Sequence, residues 1–134
     1  MQITEEELNG ILDKHAKWLN NEVGGLQADF SNMNLFGAHF TGAKLNRAIF
    51  RGTNLRFASF YEANLNYAQF QYANLYGSDL MYTKLFGTDF TGANLESAIL
   101  HHANLENIIY SNATRGIKKF HNRGQGRPII RLTH

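Results

Sequence analysis

Six histidines, His15, His39, His101, His102, His121 and His134, are the side chains best suited to hold a metal or move a proton near neutral pH. Their spacing assembles no site. His101 and His102 are adjacent outward residues at a corner and diverge, and His39 lies far upstream, so a tetrahedral ion would need ligands from elsewhere. Asp79 and Glu62 come nearest to a carboxylate pair, yet each is expected to face water, with nothing to raise a pKa for acid–base work. The chain has no cysteine, hence no thiol nucleophile and no disulfide framework. Gly124-Gln125-Gly126 lacks the third glycine and the following helix of a nucleotide fingerprint, and neither a nucleophile elbow nor an HExxH helix occurs. The chain therefore reads as a non-enzyme, with no metal and no cofactor.

Recognition chemistry is better represented. Phe36, Phe57, Tyr61, Tyr76, Met81 and Tyr82 are outward apolar groups that could form a protein partner surface. Against that reading, Tyr67, Tyr72 and Phe86 carry the same chemistry to the remaining sides, as plain cladding would. Arg115, Lys118, Lys119, Arg123, Arg127 and Arg131 fall in a final segment with no acid, and are candidate anion contacts. No DNA or RNA motif accompanies them, so nucleic acid is the weaker expectation. Ile117, Phe120, Ile129, Ile130 and Leu132 are interleaved with the bases. They favour a tail that caps the last turn of the fold or pairs with a second copy as a homodimer.

Which side chains face outward follows from one stretch. Every fifth residue from Phe30 to Tyr110 is Phe, Leu or Tyr, seventeen in succession. The residue two before each is small, except Met33 and Ile108. Period five fits neither a helix nor a flat strand. A short fixed period means small units stacked on their neighbours, none able to bury its apolar face alone. Taking every twentieth centre sorts the chemistry: Phe30, Phe50, Phe70, Phe90 and Tyr110 form an aromatic column. The columns from Leu35 and from Leu45 are all leucine, and the fourth runs Phe40, Phe60, Leu80, Leu100. Aromatics stack well on aromatics, so the unit is a twenty-residue coil with four sides. A ten-residue coil would mix these columns.

The Ala-Asn-Leu units at 63–65, 73–75, 93–95 and 103–105, with their Ala-x-Phe relatives, resemble the A(D/N)LXX motif of pentapeptide repeat proteins. The resemblance covers about residues 28–112. It implies an all-β solenoid, a right-handed quadrilateral β-helix of about four coils, with the central residue and the small residue two before it turned inward. Coils would then stack at strand spacing, ~4.8 Å.

The flanks differ in charge and pattern. Residues 1–27 hold five acids and two bases, and residues 113–134 six bases. Thr4 and Glu7 form a capping box, with Glu5, Glu6 and Glu7 at the positive end of the helix dipole. Leu8, Ile11, Leu12, His15 and Leu19 share a helical face, so a helix over 4–20 is expected to cover the open first coil. Trp18 falls off that stripe. The repeat is expected to stop at Arg115, where an apolar centre is due, and residues 113–134 form a basic tail or cap. No apolar run approaches a membrane span, and a cytoplasmic bacterial setting is expected.

The function expected from these features is a non-enzymatic scaffold that binds a protein partner or a second copy. Some members of the resembling family mimic duplex DNA and bind type II topoisomerases, conferring quinolone resistance; this is the alternative. Such mimicry needs a dense anionic surface, whereas Lys44, Arg47, Arg51, Arg56 and Lys84 point outward here. Nucleic-acid binding through the basic tail is the third reading.

Overall fold

A computed structural model describes residues 2–121 and 128–132, with side chains as far as Ile117. Helix α1 spans Glu5–Leu19. The Thr4 hydroxyl accepts the Glu7 N–H at 3.0 Å and the Thr4 N–H reaches back to the Glu7 carboxylate. The box thus satisfies two of the donors that a helix start leaves unpaired. Leu8 and His15 are its buried residues.

From residue 29 onward the chain repeats one local event. Each turn closes when the N–H three residues after a centre donates to that centre's carbonyl, as from Met33 to Phe30 at 3.1 Å and from Ala63 to Phe60 at 2.9 Å. The second residue of every such turn has positive φ, the signature of a type II turn. Two of every five residues are spent in the turn. The remaining three form a side just long enough for one bridge pair, so the rungs are isolated parallel bridges and no long strands form.

Those rungs join residue n to residue n+20: Asp29 to Ile49, Asn34 to Asn54, His39 to Ser59, Lys44 to Asn64, and so on up the solenoid. One coil is therefore four five-residue units, as the residue columns require. At each rung the upper residue donates down and its carbonyl accepts from the coil below. Gln69 N–H bonds Ala48 O at 2.9 Å and Phe50 N–H bonds Gln69 O at 2.7 Å.

Inside, every centre from Phe30 to Leu95 is 2% exposed or less, and each burial contributes roughly 1.5–3 kcal/mol. Phe50 stacks on Phe70 at 4.8 Å with ring planes 2° apart, and Phe40 on Phe60 at 4.9 Å and 7°. The two files meet edge to face, Phe50 against Phe60 at 5.6 Å. Both are favoured geometries for quadrupolar rings. Inward threonines stay satisfied: Thr53 donates to Phe30 O and Thr88 to Leu65 O, each at 2.8 Å. The buried Ser78 hydroxyl has no partner among the described residues.

A solenoid end leaves ladder groups without a coil beyond them. At the start, Gln2 supplies an N–H to Asn34 O at 2.7 Å, and its side-chain oxygen accepts the Asn34 N–H at 2.9 Å. From α1, His15 fills one further ladder group and one turn-closing donor. Its Nδ1 accepts the Ala28 N–H at 2.9 Å and its Nε2 donates to Asn46 O at 2.8 Å. Both ring nitrogens are thus committed in the neutral tautomer, and burial pushes the imidazole below its ordinary pKa, partly offset by the Asn46 bond. Trp18 stacks on this ring at 5.4 Å.

The far end corrects one expectation. Arg115 does not occupy a failed apolar centre. One extra residue is absorbed in the turn at Ser111–Thr114, and the ladder gains a further rung, Asn94 to Arg115. Thr114 takes the inward small position, donating to Phe90 O at 2.8 Å. Arg115 therefore points outward, and Gly116 stands where the centre would fall, against the Leu95 backbone. Ile117 packs on the core and opens strand β1 (Ile117–His121), which pairs antiparallel with β2 (Pro128–Leu132). Gly124-Gln125-Gly126 lies outside the described residues.

Candidate interaction surface

Outward chemistry is set by the corners. The last residue of each turn sits near φ +60, in the left-handed region, at a cost of roughly 1–2 kcal/mol for a residue with a Cβ. Ten solenoid corners carry such a residue, among them Phe57, Tyr67, Tyr72 and Tyr82. Each of these side chains meets the corner of the following coil. Tyr82 stacks on His102 at 4.8 Å and 11°, and the Arg47 guanidinium lies 4.8 Å from the Tyr67 ring centre. Where the next corner is glycine, the ring covers it: Phe57 over Gly77, Tyr67 over Gly87, Tyr72 over Gly92.

The six aromatic and methionine candidates fall on two neighbouring corners. On the first, Phe36 and Phe57 meet edge to face at 5.6 Å, and Phe57 and Tyr76 at 5.8 Å. The Arg56 guanidinium carbon lies 5.8–5.9 Å from all three ring centres, within cation–π reach. On the second, Tyr61 and Tyr82 meet edge to face at 5.7 Å, with Met81 half-buried beside them in sequence. The side between these corners presents His39, Ser59, Asp79 and Ile99, the first three polar and the last apolar. The other two corners are not bare: Tyr67 meets Phe86 at 5.6 Å, and Tyr72 is the most exposed tyrosine at 65%.

Of the six basic candidates, four fall among the described residues. Arg115 is ion-paired with Glu96 at 2.7 Å, an exposed pair worth at most about 1 kcal/mol. Lys118 and Lys119 are on β1 and Arg131 on β2, where Lys118 stands opposite Arg131. Arg123 and Arg127 lie outside the described residues. His39, His101 and His102 are exposed. Among the described residues no group of three His, Cys, Asp or Glu could hold a metal, and no helix is long and apolar enough to cross a membrane.

Hollows among the described residues include the following two. One, of about 360 Å³, lies between α1 and the first coil and is lined by Glu7, Ile11, Lys14, Leu26 and Asp29 among others. The other, of about 250 Å³, is lined by Arg56, Asn74, Tyr76, Asn94, Glu96 and Arg115. The sequence reading counted Arg56 only as one of several outward bases. The signal it passed over is the twenty-residue comb that sets Arg56, Tyr76 and Glu96 in one file beside Asn74 and Asn94.

Comparison with known proteins agrees with this architecture. The family model described as pentapeptide repeats matches eight copies, over residues 26–52, 50–81 and 73–109. Among solved structures, the pentapeptide repeat protein Rfr23 of the cyanobacterium Cyanothece 51142 is 30% identical with a TM-score of 0.65, over 66% of this chain and 60% of that one. The chain thus spans about three fifths of that relative's length. A pentapeptide repeat protein of Nostoc Pcc 7120, alr5209, is 22% identical with a TM-score of 0.60, over 77% of this chain and 92% of that one. The plasmid-mediated fluoroquinolone resistance protein QnrB1 is 16% identical over 62% of each chain, with a TM-score of 0.24. No curated protein matches in sequence.

Proposed function

Because this chain belongs to the pentapeptide repeat family, we propose that it works as a non-enzymatic scaffold: a right-handed rod of about four coils that binds a protein partner, or a second copy of itself, along one side. The observation that supports this reading is the pair of aromatic corners, Phe36–Arg56–Phe57–Tyr76 and Tyr61–Tyr82–His102, flanking the side of Ser59 and Asp79. Rings already packed on one another lose little conformational freedom on docking, which is the usual obstacle to using exposed side chains as anchors. Aromatic residues and Arg are also the groups that carry most binding energy at interfaces. The cytoplasmic bacterial setting belongs to the same proposal.

The test is capture of binding proteins from the host with the intact chain and with a Tyr61→Ser/Tyr82→Ser variant, alongside light scattering of both. A partner, or a dimer, that is lost in the variant is the expected result. Equal capture by both chains, with both monomeric, would remove the aromatic corners from the mechanism. Topoisomerase mimicry is less well supported, since Lys44, Arg47, Arg51, Arg56 and Lys84 interrupt any anionic face. The expected result of a gyrase supercoiling assay is no effect at stoichiometric protein.

A further inference from the structure

The hollow lined by Arg56, Asn74 and Asn94 is rich in donors. The Asn74 and Asn94 side-chain oxygens each accept the backbone N–H two residues on, from Tyr76 at 3.1 Å and Glu96 at 3.0 Å. That bond fixes which way each amide points. It leaves two half-buried NH₂ groups, one coil apart, with no acceptor among the described residues. One coil lower the corresponding Asn54 NH₂ is consumed by Asn34 Oδ1 at 3.1 Å, which leaves Asn74 and Asn94 as the open amides lining the hollow with Arg56. Arg56 is likewise unmatched by any carboxylate among the described residues, while its planar group is held among three rings. The lone carboxylate lining the hollow, Glu96, is already neutralised by Arg115. The lining therefore carries one uncompensated positive charge.

We propose that this hollow receives the carboxylate of a Glu or Asp side chain from an acidic segment of the partner protein. A planar guanidinium flanked by amide donors matches a planar two-oxygen acceptor, the geometry in which Arg is most selective. One excess charge balances one carboxylate and falls short of a phosphate dianion. At about 250 Å³ the hollow is below the ~300–1,000 Å³ of pockets that take whole small molecules, and suits one inserted side chain.

This inference rests on the scaffold reading, and the two fail separately. The intact chain, labelled with nitrogen-15, is titrated with hexaglutamate while the side-chain amide signals of Asn74 and Asn94 are followed. Saturable shifts of both are expected, with the dissociation constant raised about tenfold or more in Arg56→Gln, the loss of one charge-assisted hydrogen bond. Equal shifts with hexaglutamine, no shift up to millimolar peptide, or indifference to Arg56→Gln would each overturn the proposal. Tighter binding of a short DNA duplex to the same amides would overturn it in favour of a nucleic-acid contact. If host capture still yields a partner sensitive to Tyr61 and Tyr82 while hexaglutamate leaves the amides unmoved, the scaffold stands and the carboxylate site falls.

Discussion

Gly77 and Gly37 are corner glycines with nearly the same backbone, φ +67 and +69, and different neighbours. A Cβ added at Gly37 meets nothing within 4 Å, while one at Gly77 would stand 2.5 Å from Cε1 and 2.7 Å from Cδ1 of Phe57. Gly37→Ala should therefore show the left-handed backbone cost alone, about 1 kcal/mol. Gly77→Ala must bear that cost and also drive the Phe57 ring off its seat. An off-rotamer ring adds roughly 0.5–1.5 kcal/mol, for a total near 2 kcal/mol. The ring can be removed independently: in a Phe57→Ala background, Gly77→Ala should fall back to the Gly37→Ala value, a coupling of about 1 kcal/mol in the double-mutant cycle. Urea midpoints at constant slope give each number. If Gly37→Ala and Gly77→Ala are equally costly, or if their difference survives in the Phe57→Ala background, the rings do not rest on the corners above them.

Phe50 touches Phe30, Phe40, Phe60 and Phe70, so Phe50→Ala should cost about 3–5 kcal/mol, read by thermal and urea unfolding. The orphaned hydroxyl of Ser78 makes Ser78→Ala neutral or stabilising, by up to about 1 kcal/mol, whereas Thr88→Val should lose about 1 kcal/mol with its bond to Leu65 O. His15 has a lowered folded pKa, so the unfolded chain takes up the proton first as pH falls. Its stabilisation is complete above pH 6.5 and is lost as pH drops from there through the lowered folded value. Unfolding midpoints at pH 7.5 and 5.5 should diverge more in the wild type than in His15→Gln, which is less stable at the higher pH.

The solenoid was legible because its core is one-dimensional. A strict spacing of large centres, sorted by twenties, placed Phe50 on Phe70 and Leu55 beneath Leu75 with no knowledge of the backbone. The helix was legible from Thr4 and Glu7 for the same local reason. Arg115 was misplaced because a single absorbed residue in the Ser111–Thr114 turn shifts the phase of everything after it, and a periodic argument cannot detect a slip once the pattern has ended. The corners escaped for a different reason. Left-handed φ is expected of glycine, and Phe57, Tyr67 and Tyr82 gave no hint of it. Only the pairing of a bulky corner with a glycine twenty residues later, as at 57 and 77, carries that information. His15 was read as one more apolar-face residue. Its role at the first coil depends on two backbone groups, the Ala28 N–H with no repeat turn before it and the Asn46 carbonyl with no coil beneath it, and both are properties of the end of the rod and not of any motif.

A ladder tied from n to n+20 also constrains how such a chain can change length. Removing residues 61–65 would leave every remaining pentad intact in type, with small and large residues still alternating correctly toward the axis. Yet everything downstream would be rotated by a quarter-turn, setting Phe70 above Leu45 and Leu75 above Phe50, and carrying Tyr76 and the Asn74–Asn94 amides away from Arg56. Removing a whole storey of twenty would shorten the rod and keep both its aromatic files and its faces in line. Lengthening or shortening by complete storeys is thus the change that preserves what each wall displays, and five-residue edits are the ones that reassign it.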